Sequence, residues 1–340
     1  MQSIASTVPL SKKPIKMQET KENVILANSF FRLEFSKTHG TIKSLSYGAN
    51  KVVQYQKNET KRKSAKSPLK PEKKEAINGP LPNIFRAPVD NDHQFGRGVG
   101  PKWREMHLWN ISHTVNSIKV NSISDRLVKI IVSMTSSTPK GYSINSDIIY
   151  SVHNNGFIDV RTGFTPDSLE FALPRLGLQL NLPKELEYVE WYGRGPHENY
   201  WDRKRSADVG RYHKTVTEMF EPYVRPQDMA NREDVRWLTV TDRRGSGMMI
   251  RAESMLNFSA LHYTAVDLEL ADHPYELSPR DETILNLDLG AQGLGGASCG
   301  PPPMAQYTFK ALPRSFEFQI RPYNALLGDR AEYARMLNNE

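Results

Sequence analysis

The run Val128-Lys129-Ile130-Ile131-Val132-Ser133-Met134 is followed by Ser143-Ile144-Asn145-Ser146-Asp147-Ile148-Ile149-Tyr150-Ser151-Val152. The turn Asn154-Asn155-Gly156 then leads into Phe157-Ile158-Asp159-Val160-Arg161-Thr162-Gly163-Phe164. Apolar β-branched and aromatic side chains recur at alternate positions in these stretches, the period of a strand with one buried face. Asn and Gly accept the positive φ that a tight reversal needs. The three stretches are predicted to be consecutive antiparallel strands.

The same style extends in both directions. Upstream lie Val24-Ile25-Leu26-Ala27, Phe30-Phe31-Arg32-Leu33-Glu34-Phe35, a turn at Gly40, and Ile42-Lys43-Ser44-Leu45-Ser46-Tyr47. Downstream come Trp237-Leu238-Thr239-Val240-Thr241, Gly247-Met248-Met249-Ile250-Arg251, Tyr307-Thr308-Phe309-Lys310-Ala311 and Phe316-Glu317-Phe318-Gln319-Ile320. Short helices fit only at 216–220 and 329–337. Twenty-two prolines and 21 glycines suit many tight turns better than long helices. Strands joined by turns, without alternating helices, imply antiparallel sheets packed face to face. The expected fold class is therefore all-β, a large antiparallel β-sandwich spanning 21–325. Residues 1–20, polar and Lys-rich, read as a linker or the end of a preceding domain, and 326–340 as a C-terminal tail or short helix.

The chain has 340 residues, 38% hydrophobic and 24% charged, enough to bury a sizeable core. Fourteen Tyr, 13 Phe and 5 Trp are enough aromatic surface to line a carbohydrate site. No apolar run approaches the ~20 residues that span a bilayer, so no membrane role is expected. The formal charge of +7 would suit nucleic acid, but much of the excess falls between Lys57 and Lys74. That stretch combines Lys, Ser and Pro with almost no apolar residues, as solvated loops do. It lacks the interleaved aromatics of a single-strand binder. A Lys-rich surface loop at 56–78 and no nucleic-acid partner are the expectations. Cys299 is the only cysteine, which excludes an intrachain disulfide and a thiolate metal cluster. Residues 1–17 lack the apolar core of a signal peptide, and cytoplasm and periplasm both stay open.

Four segments depart from strand-and-turn style. The first is Arg86-Ala87-Pro88-Val89-Asp90-Asn91-Asp92, with Gly96, Gly98 and Gly100 after it. Its oxygens could meet a hard cation or sugar hydroxyls, and the glycines could let a lid move. Alternatively, Asp90 and Asp92 cap turns and pair with Arg86. The second segment, Trp191-Tyr192-Gly193-Arg194-Gly195-Pro196-His197-Glu198-Asn199-Tyr200-Trp201-Asp202-Arg203, could wall a polar site with aromatics. It could equally be a structural network with Arg194 and Arg203 held by Glu198 and Asp202. The third runs from Tyr223-Val224-Arg225-Pro226-Gln227-Asp228 to Asn231-Arg232-Glu233-Asp234-Val235-Arg236-Trp237. The fourth, Gly293-Leu294-Gly295-Gly296-Ala297-Ser298-Cys299-Gly300-Pro301-Pro302-Pro303, describes a fixed loop and has no phosphate-loop ending. His262 and His273 read as structural histidines.

In this order the four segments resemble the C-terminal region of family 2 β-galactosidases, a domain that also occurs as a separate small chain. The resemblance runs from about Glu22 to about Tyr323. Arg86-Ala87-Pro88-Val89-Asp90-Asn91-Asp92 looks like the family's R-A-P-x-D-N-D, and 192–203 looks like its G-x-G-P-x-E-N-Y-x-D-R. Tyr223, Pro226-Gln227, Arg236-Trp237, His273 and Gly293-Leu294-Gly295-Gly296 also fall in family order. The resemblance implies a galactose-mutarotase-like supersandwich lying against a (β/α)8 barrel that is absent here. That barrel supplies both glutamates for retaining hydrolysis of terminal β-D-galactosides.

No catalytic residue is therefore expected in this chain, and alone it should be inactive. The implied partners are the barrel domain or large subunit and a β-galactoside. Any divalent or monovalent cation is implied for the parent enzyme rather than for this chain. Asp90, Asn91, Asp92, Gly96, Gly98, Gly100, Gly296, Ser298 and Cys299 are the expected substrate-proximal positions. Arg194, His197, Glu198, Asn199, Asp202 and Arg203 are the expected structural or sugar-contact set. Cys299 stands near where some members place a stacking tryptophan, and its side chain offers little flat face. Two other function classes remain. A free-standing carbohydrate-binding module would bind sugar alone. A mutarotase- or lyase-like enzyme would need a histidine facing a carboxylate in one cleft, from His197, Glu198, His262 and His273.

Overall fold

The computed structural model describes residues 7–8, 13–47, 79–93, 98–168 and 172–338. The chain starts with β1 (Thr7–Val8), β2 (Lys16–Glu19), β3 (Asn23–Ala27), β4 (Phe31–Ser36), β5 (Thr41–Tyr47) and β6 (Leu81–Asn83). Helices α1 (Asp90–His93) and α2 (Val99–Glu105) lead into β7 (Ser112–Ser124), β8 (Leu127–Ser137), β9 (Ser143–His153) and β10 (Ile158–Pro166). Next come β11 (Arg175–Pro183), β12 (Tyr188–Gly195), β13 (Asp208–Thr215), β14 (Arg232–Thr241) and β15 (Ser246–Leu261). The chain continues through α3 (Ala265–Leu270), β16 (Glu282–Ala291), β17 (Arg314–Asn324), α4 (Arg330–Arg335) and β18 (Leu337–Asn338).

Twelve strands form one antiparallel sheet with the order β13-β12-β14-β15-β17-β10-β9-β8-β7. The long β15 forks it. Its first part pairs with β17 and its last part with β16, which carries β11 and then β6. A four-stranded sheet, β2-β3-β4-β5, packs over the β7–β9 end. The all-β antiparallel class expected from sequence is the class observed.

The deciding stretch folds as its period requires. Along β8 Val128, Ile130, Val132 and Met134 are buried and their neighbours are not. β8 and β9 pair with Ile130 opposite Tyr150. The turn to β10 closes with His153 N–H donating to Phe157 O at 2.9 Å, and Gly156 takes φ +84°. The small sheet docks by inserting Phe35 edge-on to Tyr150, ring centres 5.1 Å apart. Gly40 (φ +66°) lies so close to the large sheet that a Cβ there would sit 2.8 Å from Val132. Leu26, Leu33, Phe35, Ile130, Val132 and Tyr150 share one core, each contributing roughly 1.5–3 kcal/mol by burial.

Two boundaries move. Residues 1–20 are not all linker: Lys16–Glu19 is the edge strand of the small sheet, with Met17 opposite Leu26. All four side chains are exposed, so no buried face marks it in the sequence. At the C-terminus the expected short helix is α4, and the described residues 326–338 are more than a loose tail. Tyr333 packs on Phe157 and Tyr323, and the buried Arg321 donates to Tyr333 O at 2.6 Å and Met336 O at 2.8 Å. The Lys-rich loop expected at 56–78 lies outside the described residues. No helix among the described residues is long and apolar enough to cross a membrane.

Candidate functional site

The segment entering α1, the stretches on either side of Tyr200 and Gln227, and the loop after β16 meet beyond the ends of β6, β12 and β16 and the start of β14. Between them is a recess of about 210 Å³ whose polar lining includes Asp90, Asn91, Glu198, Arg203, Asp228 and Ser298. Tyr223 and Gln227 complete the polar rim, and Val89 and Leu294 give it an apolar patch.

Asp90-Asn91-Asp92 forms a single helical turn, so its three side chains diverge. Asp92 points inward and is buried with Arg86: Nη1 lies 2.9 Å from Oδ2, and Nη2 donates to Oδ1 at 3.0 Å. Val89 N–H also donates to Asp92 Oδ2 at 2.8 Å, and the Arg86 guanidinium covers Trp103. Burial raises the Asp92 carboxyl above its ordinary range against the pull of Arg86. Asp92 thus anchors the turn to Arg86 and Val89 and lies outside the lining of the recess. Asp90 stands exposed at the recess, its N–H bonded to Gln227 Oε1 at 3.1 Å. Asn91 turns to the glycine loop.

Gly98 is the residue before α2, and Gly100 is buried inside that helix. A Cβ at position 100 would come 3.1 Å from Asp92 O. That glycine therefore allows α1 and α2 to approach closely. Gly96 lies outside the described residues.

In the glycine loop Gly295 takes φ +60°, and its N–H donates to Asp202 Oδ2 at 2.7 Å. Its carbonyl accepts from Asn91 Nδ2 at 2.9 Å and from Arg203. Ser298 donates to Asn91 Oδ1 through both N–H (3.0 Å) and Oγ (2.6 Å). Gly296 O accepts from Cys299 and Gly300 N–H, tightening the turn, and both Gly296 and Cys299 are exposed. Ser298 lines the recess, whereas Gly296 and Cys299 lie outside its lining.

The second segment divides its labour. Glu198 lines the recess, accepting from Tyr223 Oη and from Ala230 N–H at 2.9 Å, and burial raises its carboxyl. Asn199 is buried and links this segment to β14: its Oδ1 accepts from Glu233 N–H at 2.9 Å, and its carbonyl accepts from Asn231 Nδ2 at 2.7 Å. The local ion pairs considered from sequence do not form. Arg194 pairs with Asp234 and donates to Lys204 O and Ala207 O, all away from the recess. Arg203 and Asp202 hold Gly295 instead. His197 is exposed beside Ser206 and takes no part in the recess.

Beneath the recess lies a buried ionic chain that sequence reasoning missed. Asp228 accepts from Tyr200 Oη at 2.9 Å and from Arg175 Nη2 at 3.4 Å. Arg175 Nε faces Asp288 Oδ2 at 3.5 Å, and burial pushes the Asp288 carboxyl up to about 6. Asp228 fell within the third segment, but Arg175 and Asp288 sit in ordinary strands among other polar residues and gave no signal.

His262 is buried, with Nδ1 2.9 Å from Glu282 O and Nε2 2.7 Å from Glu187 Oε2. It borders a separate recess of about 410 Å³ walled by Phe220 and Tyr263. Both ring nitrogens are occupied, as suits a structural histidine. His273 is exposed and stacks on Tyr275. Among the described residues no three His, Cys, Asp or Glu side chains converge to hold a metal ion. The main recess offers three carboxylates, two amides, two hydroxyls and one guanidinium, a set that fits hydroxyl groups better than an anion.

Comparison with known proteins gives a match to the family described as "Beta galactosidase small chain" over residues 27–321. The β-galactosidase of Priestia megaterium is 30% identical over 216 residues, 63% of this chain and 20% of that protein. That of Halalkalibacterium halodurans is 26% identical over 302 residues, 87% of this chain and 27% of that protein. The chain thus spans about a fifth to a quarter of the length of these curated relatives. Among solved structures, a galactose mutarotase related enzyme from Lactobacillus acidophilus aligns with TM-score 0.43 at 10% identity, covering 89% of this chain and 97% of that one.

Proposed function

Because the chain belongs to the β-galactosidase small-chain family, we propose that it completes the substrate site of a β-galactosidase whose catalytic carboxylates lie in a barrel domain or large subunit. The observation that carries this reading is the family match over 27–321, joined to the coverage of only 20–27% of the relatives. The recess at the strand ends supports it, because the family-like motifs supply Asp90, Asn91, Glu198, Arg203 and Ser298 to one place. The reaction is retaining hydrolysis of terminal β-D-galactosides, with both glutamates supplied by the partner. Glu198 is engaged by Tyr223 and Ala230, and Glu233 by Asn231 and Asn257. Neither is assigned as acid or nucleophile, and no cation is assigned to this chain's residues.

The test is hydrolysis of a chromogenic β-galactoside by the chain alone and after mixing with a barrel-containing partner. Inactivity alone and turnover on mixing are expected. Robust turnover by the chain alone would overturn the assignment and redirect attention to Glu198 and Glu233.

A further inference from the structure

We propose that Asn91 is a positioning residue that latches the 293–303 loop, and that this latch sets how the Leu294 and Ser298 wall of the recess is presented to substrate in the assembled enzyme. The inference rests on the functional reading above. The Asn91 side chain commits three of its four hydrogen-bonding positions to one loop: it donates to Gly295 O at 2.9 Å and accepts both Ser298 groups at 3.0 and 2.6 Å. The loop's other side-chain holds, Asp202 and Arg203, grip only Gly295. Among the described residues Asn91 alone hydrogen-bonds Ser298, the neighbour of exposed Cys299. Its own base is rigid, since Asp92 is locked to Arg86 and Val89, and Asp90 N–H is bonded to Gln227. The amide is specific: aspartate would keep acceptors for Ser298 but turn an oxygen toward Gly295 O. Through Asn91, any shift of α1 is transmitted to the loop that carries residue 299.

The chain contains a single cysteine, and it lies on this loop. A nitroxide attached to Cys299 therefore reports loop motion directly. In Asn91→Ala the nitroxide spectrum should narrow, in the free chain and in the assembled enzyme. The unlabelled assembled enzyme should show KM for a chromogenic β-galactoside raised about tenfold, with kcat within about twofold. Asn91→Asp, which retains the Ser298 acceptor, should show a smaller rise. If Asn91→Ala does not fold, Ser298→Ala removes only the hydroxyl bond and should loosen the probe less. An unchanged spectrum overturns the latch, as does a freed loop with unaltered KM. Equal loss of kcat and of subunit assembly, followed by size-exclusion chromatography, would show a merely structural role and also overturn it. Because the probe reads the chain itself, a latch that holds in a chain that never yields activity with its partner counts against the functional reading alone.

Discussion

Replacing Arg175 by methionine should lower the unfolding free energy by about 3–5 kcal/mol, the range for breaking a buried ion pair from one side. Arg175 is 1% exposed and lies between Asp228 and Asp288, both buried. Its removal takes from Asp288, whose carboxylate oxygens already lack a hydrogen-bond donor among the described residues, its ion-pair partner, and leaves Asp228 only Tyr200. Methionine fills much of the volume, so the loss would report stranded charge and not a void. Adding Asp288→Asn to Arg175→Met should recover part of the loss, because it deletes one of the stranded charges. Urea midpoints of the single and double variants are the measurement. A single variant within about 1 kcal/mol of the parent would show that the chain of charges is not structurally important.

The second large effect depends on pH. Glu233 is 4% exposed, accepts from Asn231 and Asn257, and lies 3.4 Å from Lys204. Burial pushes its carboxyl from an ordinary 4.5 up to about 7, with Lys204 opposing. The folded value is above the unfolded one. Between the two, the folded chain therefore keeps a proton that the unfolded chain has released, and this group's contribution to stability falls as pH rises through that window. Glu233→Gln removes that dependence. It should stabilise the chain by about 3 kcal/mol near pH 8 and change it little near pH 4. Denaturant midpoints at both pH values decide the matter, and an equal shift at each would refute the proton account.

The sequence was most legible where local period and turn chemistry agreed. In β8, β9 and β10 alternation gave the buried face, and Asn154-Asn155-Gly156 gave the reversal. It misled where aromatic content served another purpose. Tyr307-Thr308-Phe309-Lys310-Ala311 reads as a strand but forms a 3₁₀ turn and one isolated bridge from Lys310 to Ala172. Tyr307 and Phe309 instead pack edge-on to Trp201 at the base of the glycine loop. Motif order located the site, but not what each side chain does there. One helical turn sends Asp92 to Arg86 and Asn91 to Ser298, a division invisible in a string of three polar letters. Arg194 and Glu198 look like local partners, yet Asp234 and Tyr223 reach them from other segments. Charges such as Arg175 and Asp288, whose partners lie far along the chain, leave no local pattern to read.

β17 has a further consequence, for biosynthesis. Among the described strands it alone hydrogen-bonds β10 to β15, and so joins the four strands β13-β12-β14-β15 to the four strands β10-β9-β8-β7. Every strand of both groups leaves the ribosome before Arg314–Asn324 does. A nascent chain therefore carries two half-sheets with open edges at β10 and β15, the kind of edge that pairs with wrong partners. Pulse-labelled chains should become protease-resistant only once that strand has emerged, and earlier resistance would mean that the halves can close without their shared centre.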